Sequence, residues 1–361
     1  MDDRGAIGAD VPPRALITGG AGFIGSHLAE ALLVRGYSVT AIDDLSTGRI
    51  ENIVHLTGHP RFQIAVDNIA NKSLVDRLVA QSDVVYHLAA AVGVELVLSN
   101  PVGVIETNIL GGHTVLQAAA RHQKKVLVAS TSEIYGKSTH LPFREDGDWI
   151  MGPTTKARWS YATSKAVDEF LGLAYHRQTQ LPVVIFRLFN TVGPRQTGRY
   201  GMVIPRLVRQ ALKGQPLTVY GNGQQSRCFC DVEDAVRAIV GLSESSDAIG
   251  QVFNVGSTNE VTILELAQRV LRLSSEVEQL AAHPNLLTHA PGCAAVAPRV
   301  DDGRIVFIPY DQAFEPGYED MQRRVPNINR IKAAIMWEPR VSLDTTLRRV
   351  IDYFCSAPSA D

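Results

Sequence analysis

The chain has 361 residues, long enough for one large α/β unit with a smaller appended lobe. Lys plus Arg total 35 against 37 for Asp plus Glu, interspersed along the chain, so no basic excess points to a nucleic-acid or membrane partner. The acidic N-terminus carries no apolar h-region, no window has the roughly 18 uninterrupted apolar residues of a membrane span, and four scattered cysteines fit neither a disulfide framework nor zinc; a cytoplasmic chain with free thiols and no metal is expected.

The first apolar run, RALITG, reads as a strand, and a helix-like segment follows to Val34. Between them stands GGAGFIG, with Gly19, Gly22 and Gly25 in a G-x-x-G-x-x-G spacing that encloses Phe23 and Ile24. Glycines there permit a tight turn and close approach of backbone N–H groups to a pyrophosphate, which the helix N-terminus also favours. The second strand, YSVTAID, ends at Asp43, where a carboxylate would bond a ribose 2′-hydroxyl and repel a 2′-phosphate, so NAD is favoured over NADP. Asp67, after the third strand RFQIAV, is a candidate for the adenine side of the cofactor site.

SDVVYHLAA, a helical stretch from Pro101 to His122, KKVLVAS and PVVIFRLFN continue the alternation of strand and helix. The expected fold is therefore α/β, a Rossmann-type doubly wound parallel sheet with right-handed crossovers. The fifth strand runs into STSEIYG, which sets Thr131, Ser132 and Glu133 at a strand end. Further on, WSYATSK places Tyr161 and Lys165 four apart on one helix face. A lysine beside a phenol favours the phenolate, lowering an intrinsic pKa of about 10, so that Tyr161 could take a proton from a sugar hydroxyl.

After Asn190 the pattern breaks into loops rich in Gly, Pro, Arg and Gln, with helices near 202–213 and 262–273. Residues 1–190 are expected to form the NAD-binding domain, with 228–256 returning to it, and 191–361 the substrate lobe. Ser274 to Asp302, loose in Pro, Ala and Gly, reads as a surface excursion.

The glycine turn, the Tyr161/Lys165 pair and the strand-end Thr131 together resemble the extended short-chain dehydrogenase/reductase family of nucleotide-sugar epimerases, dehydratases and decarboxylases. The resemblance covers nearly the whole chain and implies an enzyme that works on a UDP-sugar with NAD, through a 4-keto intermediate. It implies that Thr131 is the hydroxyl partner of Tyr161, that Asn190 of FNTVGPR and Arg227 of GNGQQSRCF contact the nucleotide diphosphate, and that PLTVYG borders the base. It also implies a homodimer through the helices at 101–122 and 159–178.

Within the family, Thr131-Ser132-Glu133 resembles the T-S-E of UDP-glucuronate decarboxylases, whereas dehydratases carry T-D-E. GPTTKARWSYATSK and GYEDMQRRVPNINR resemble further stretches of the same branch. They make Arg158 a candidate contact to the sugar carboxylate, Tyr318 a nucleotide contact and Arg324 a catalytic arginine, with Ser132 beside the substrate. The implied activity is decarboxylation of UDP-glucuronate, ending in UDP-xylose or a released 4-keto-pentose. Val97 stands where the decarboxylases carry a tyrosine, and Glu95 lies beside it, so a UDP-sugar 4-epimerase stays open as the alternative. A dehydratase and a non-catalytic NAD-binding protein stand further off.

Overall fold

A parallel sheet covered on both faces needs strands that are apolar at nearly every position, and the short Val, Ile, Leu and Ala runs supply them. In the computed structural model, which describes residues 11–198, 201–282, 303–313 and 321–356, these are β1 (Arg14–Thr18), β2 (Ser38–Asp43), β3 (Phe62–Val66), β4 (Val84–His87), β5 (Lys125–Thr131) and β6 (Val183–Leu188). The later strands are β7 (Thr191–Val192), β8 (Leu217–Tyr220), β9 (Ser226–Cys228), β10 (Cys230–Asp231), β11 (Val252–Val255), β12 (Glu260–Thr262) and β13 (Ile305–Ile308). The helices are α1 (Phe23–Val34), α2 (Lys72–Ala80), α3 (Val94–Ser99), α4 (Pro101–Arg121), α5 (Arg158–Thr179), α6 (Val203–Leu212), α7 (Val232–Glu244), α8 (Ile263–Ala282), α9 (Tyr310–Ala313), α10 (Asn329–Ile335) and α11 (Leu343–Ser356).

The central sheet runs β11-β6-β5-β4-β1-β2-β3 with every pairing parallel, the doubly wound Rossmann-type arrangement expected. Side chains alternate between its faces. Tyr86, Leu127 and Phe186 join one core with Leu28 and Leu32 of α1 and Ile239 of α7. Val85, Val126, Val128 and Ile185 join the other, with Val75 of α2 and Val115 and Leu116 of α4. The strand order reverses between β1 and β4, and a crevice for a ligand opens beyond the carboxyl ends of the strands at such a point.

The remaining strands pair outside this sheet: β7 with β10, β8 with β13, and β9 antiparallel with β12. Leu207 of α6, Leu266 of α8 and Leu347 of α11 form a separate core for the lobe. One expectation is corrected here, because Ser274 to Ala282 is not a loose excursion but the last turns of α8. Leu271, Leu273 and Val277 keep the helical spacing and pack on the lobe core, which holds the helix in register past the expected break. Residues 283–302 lie outside the described residues. Among the described residues no helix is long and apolar enough to cross a membrane.

Beneath the strand ends lies a buried ion pair. Arg187 of β6 donates from Nε (2.9 Å) and Nη2 (2.7 Å) to the two carboxylate oxygens of Glu169 on α5. Ser130 of β5 donates to the same carboxylate at 2.5 Å, and the Tyr135 hydroxyl accepts from Arg187 Nη1 at 2.8 Å. Burial works against the Arg187 charge, but the Glu169 carboxylate outweighs it and raises the guanidinium pKa further. Removing one partner of such a pair strands the other charge out of water. Arg187→Met should lower the unfolding free energy by about 3–5 kcal/mol in urea titrations, and a loss within the error of the fit would show the pair to be dispensable.

Candidate active site

The turn after β1 is built for close approach. Gly19 has φ +73°, and a Cβ on it would stand 2.8 Å from the Ala89 nitrogen. A Cβ on Gly25 would stand 2.1 Å from the Gly19 carbonyl oxygen, so the first turn of α1 can lie against the loop only with glycine there. The N-terminus of α1 has no side-chain cap and no acidic residue in its first turn, which leaves its positive end for an anion. Phe23 and Ile24 pack partly buried against the core under this loop.

Asp43 closes the site at the end of β2. Its two oxygens accept the backbone N–H groups of Ala21 and Leu45, each at 2.9 Å, so the carboxylate also ties the glycine loop to the second strand. Each oxygen keeps lone-pair capacity for a ribose hydroxyl. Burial pushes this carboxyl up from its usual range, against the pull of those N–H groups. The Asp67 backbone N–H donates to the Asp43 carbonyl at 3.1 Å, which brings Asp67 to the same edge. Its own carboxylate is engaged by Asn68 and Asn71. Glycine cradle, uncapped helix end and acidic strand end fit a dinucleotide with a free ribose 2′-hydroxyl.

Across the crevice, β5 delivers the strand-end residues. Thr131 caps the 3₁₀ turn that follows, its hydroxyl accepting the Glu133 N–H at 3.2 Å. A hydrogen bond joins Thr131 to the phenol of Tyr161, which α5 brings to the same place. Glu133 meets two arginines from distant parts of the chain, Arg324 Nη1 at 2.6 Å and Arg158 Nη2 at 3.3 Å. Burial opposes the Glu133 charge, yet Arg324, Arg158 and Arg227 outweigh it and hold the carboxyl below the usual carboxylate range. Glu133 is therefore ionised at neutral pH.

Loop pairing brings Arg324 there. Phe143 N–H donates to the Val325 carbonyl and Asn327 N–H to the Phe143 carbonyl, both at 2.8 Å, locking the 321–328 segment onto the loop after Tyr135. Arg158 is set by the first turn of α5, its guanidinium 5.1 Å from the Trp159 ring centroid. Arg227 on β9 is buried and donates to the Ser226 carbonyl at 2.7 Å. Ser132 is buried beside Glu133. Asn190, in the left-handed region at φ 39°, donates its side-chain amide to the Cys228 carbonyl at 3.0 Å. Tyr318 lies outside the described residues.

The expected effect of Lys165 on Tyr161 needs correction. Burial, and then the negative charge of Glu133, push the Tyr161 phenol well above its usual range, against its hydrogen bond to Thr131. Lys165 instead gives its ammonium to Asp168, Nζ to Oδ2 at 2.6 Å. Two residues that sequence reasoning passed over stand close by. Asp168 was visible only as an acid three places after Lys165. His87 looked like part of the strand run SDVVYHLAA, but its Nδ1 shares a 2.8 Å hydrogen bond with the Thr18 hydroxyl beneath the glycine turn. Burial, helped by Lys165, lowers its pKa to about 3 and keeps the ring neutral.

Val97, read as a departure from the decarboxylase pattern, is a buried residue of α3. Glu95, on the same helix, lies toward Gly201, whose built Cβ would be 3.6 Å from its carboxylate.

Comparison with known proteins gives a consistent neighbourhood. Residues 16–350 match the model of the GDP-mannose 4,6 dehydratase family. The chain is 41% identical over 342 residues to a UDP-N-acetyl-alpha-D-glucosaminuronate decarboxylase from Bacillus cytotoxicus, covering 94% of this chain and 97% of that protein. It is 36% identical over 341 residues to UDP-glucuronic acid decarboxylase 1 from Danio rerio, covering 94% of this chain and 72% of that one. Among solved structures, UDP-glucuronic acid 4-epimerase from Bacillus cereus, in complex with UDP-glucuronic acid and NAD, superposes with a TM-score of 0.79 at 28% identity, covering 95% of this chain and 99% of that one.

The depressed Glu133 carboxyl makes a linked prediction. A carboxyl whose folded pKa lies below its unfolded value adds stability above the unfolded value, and that stability is lost as pH falls through the folded one. Glu133→Gln should therefore be less stable than the parent at neutral pH, with the gap closing below about pH 4.3. Urea unfolding at a series of pH values measures it, and a gap that stays constant into acid contradicts the charge pairing.

Proposed function

The chain belongs to the GDP-mannose 4,6-dehydratase family of extended short-chain dehydrogenases/reductases, and from that membership we propose that it is an NAD-dependent decarboxylase of a UDP-uronate, UDP-glucuronate in the first instance. The observation that carries this is the charge around Glu133. Three guanidinium groups, Arg158, Arg227 and Arg324, act on one carboxylate, next to the Thr131–Tyr161 pair. A neutral hexose has no use for that surplus, whereas a sugar carboxylate beside a diphosphate does. Decarboxylase relatives at 41% and 36% identity support the same chemistry.

Gly19, Gly22, Gly25 and the N-terminus of α1 would hold the pyrophosphate of NAD, Asp43 the adenine-side ribose, Asp67 the adenine edge, and Tyr161 and Lys165 the nicotinamide end. What NAD supplies when bound is reversible hydride acceptance at C4 of the sugar. The positive charge of bound oxidised NAD would favour the Tyr161 phenolate, and in that form Tyr161, aided by the Thr131 hydroxyl, takes the proton of the 4-hydroxyl. The ketone at C4 makes the carboxylate on C5 that of a β-keto acid, so the bond to it breaks and its electrons form an enolate on C4. Thr131 and Tyr161 donate hydrogen bonds to that enolate oxygen. C5 then takes a proton from a water ordered between Glu133 and Arg324, and the hydroxide left is neutralised by a proton from solvent; the low pKa of Glu133 suits it to orienting that water rather than giving up a proton of its own.

Glu133 also tempers the arginines. Guanidinium groups held only by the substrate carboxylate would stabilise the ground state and slow loss of carbon dioxide. With Glu133 already occupying Arg324 and Arg158, they position the uronate without gripping it. Arg227 and Asn190 are assigned to the diphosphate, Ser132 to the sugar face and Tyr318 to the nucleotide.

A second substrate reading is favoured by the 41% relative, whose name specifies an N-acetylated uronate. Buried aliphatic Val97, in place of a tyrosine, is compatible with the bulk of a 2-acetamido group. The chain is further proposed to work as a homodimer. Leu110 on α4 (57% exposed) and Phe170 on α5 (60% exposed), the latter edge-on to Trp149, are apolar side chains left exposed on two helices that pack together, and in this proposal they belong to one face. Faces of this kind on a soluble protein mark interaction surfaces.

Incubation with NAD and, separately, UDP-glucuronate, its 2-acetamido analogue and UDP-glucose tests the activity. Release of carbon dioxide and a product lighter by that mass is expected from one of the uronates, and an isomer of unchanged mass would make the enzyme an epimerase. Glu133→Gln should abolish carbon dioxide release while NADH still forms, whereas full turnover by this variant would make Glu133 a bystander. For the dimer, sedimentation should give twice the chain mass for the parent and one chain mass for Phe170→Asp with Leu110→Asp; a parent that sediments as one chain sinks the assembly.

A further inference from the structure

On α5, Tyr161, Lys165 and Asp168 follow at i, i+4 and i+7, so one helix face carries phenol, ammonium and carboxylate in line. The Lys165 and Asp168 side chains meet at 2.6 Å with only 3% and 1% of each exposed. The neighbouring helix makes room for the pair. A Cβ on Gly112 of α4 would stand 2.2 Å from Asp168 Oδ1 and 2.9 Å from its Cγ, so the carboxylate fills the gap that this glycine leaves.

The other charges facing the pair are accounted for. Glu169, next on the helix, is bound to Arg187 and Ser130, and Glu133 is bound to Arg324 and Arg158. His87, approaching from β4, is neutral and gives no compensating charge. Asp168 is the carboxylate left for Lys165, and its Oδ1 has no hydrogen-bond partner among the described residues. A buried carboxylate with so few partners is costly, and an ammonium buried without one would tend to lose its proton.

We propose that Asp168 is a positioning residue whose task is to hold Lys165 as an ammonium in its buried place beside Tyr161. This rests on reading Tyr161 and Lys165 as the acid–base pair. The proton that Tyr161 takes from the sugar hydroxyl returns to the same oxygen when the ketone is reduced, and a lysine of constant charge leaves the surroundings of the phenol unchanged between the two steps. Asp168 is placed to act through Lys165, whose ammonium it holds at 2.6 Å.

Asp168→Asn keeps the shape and removes the charge. In protein labelled with [¹⁵N]lysine, without added ligand and with Lys165→Met for assignment, the Lys165 Nζ resonance should leave its ammonium position at least about one pH unit lower in Asp168→Asn than in the parent. Turnover by Asp168→Asn should approach the parent at the acid end of the profile and fall away on the alkaline side about one unit earlier. Gly112→Ala, which displaces the carboxylate without removing it, should move both readouts the same way by less, and decides the matter if Asp168→Asn does not fold by circular dichroism. An unmoved nitrogen titration, or activity lowered equally at every pH, overturns the proposal. Failure of the parent to release carbon dioxide from any UDP-uronate would sink the decarboxylase assignment instead, leaving the nitrogen titration to stand or fall alone.

Discussion

The buried pair between Glu169 and Arg187 is the constraint from which the site follows. It joins α5 to β6, takes in Ser130 at the end of β5 and reaches the Tyr135 hydroxyl, which in turn donates to Asn254 of β11 at 2.7 Å. Tyr161 and Lys165 lie two turns and one turn before Glu169 on the same helix, and Thr131 and Glu133 lie one and three residues after Ser130. One ion pair thus sets the register between Tyr161 and Lys165 on α5 and Thr131 and Glu133 after β5. Because both charges are out of water, slippage by one residue would separate them at a cost of several kcal/mol, which makes the arrangement close to all-or-none.

Charge in the crevice is arranged in matched sets around that anchor. Glu133 sits among arginines, Lys165 on Asp168, Glu169 on Arg187, and His87 is neutral. Tyr161 stands among them with its proton held tightly, because burial and Glu133 both oppose the phenolate. Such a phenol can take a proton only once a nearby positive charge, such as that of oxidised NAD, favours its phenolate. The positive surplus lies on the Glu133 side, where the proposed uronate carboxylate would find attraction without a closed clamp.

Much of this was legible in the chain as written. GGAGFIG between an apolar strand and a helix, Asp43 at the next strand end, and Tyr161 four before Lys165 rest on local spacing, and local spacing survives folding. The illegible parts concern partners far apart in sequence. Nothing around Glu133 announces that Arg324, 191 positions later, closes on it, since backbone pairing between Phe143 and the 325–327 segment brings them together. The lysine was expected to act on the phenol, but a helix face offers i+3 as readily as i−4, and the gap at Gly112 decided for Asp168. The run after Ser274 looked too loose for helix, and contacts with the lobe core carried α8 on to Ala282.

What the sequence determined by itself was therefore the α/β architecture, the glycine turn that opens α1 and the placing of Tyr161 and Lys165 on one helix face, because each depends on periodicity or on a spacing of a few residues. What only the tertiary structure decided was which charges face one another: Glu133 with its arginines, Lys165 with Asp168, His87 neutral beneath the glycine turn. Electrostatic partners are chosen by distance in space and by exclusion of water, and neither is encoded in the order of residues along the chain.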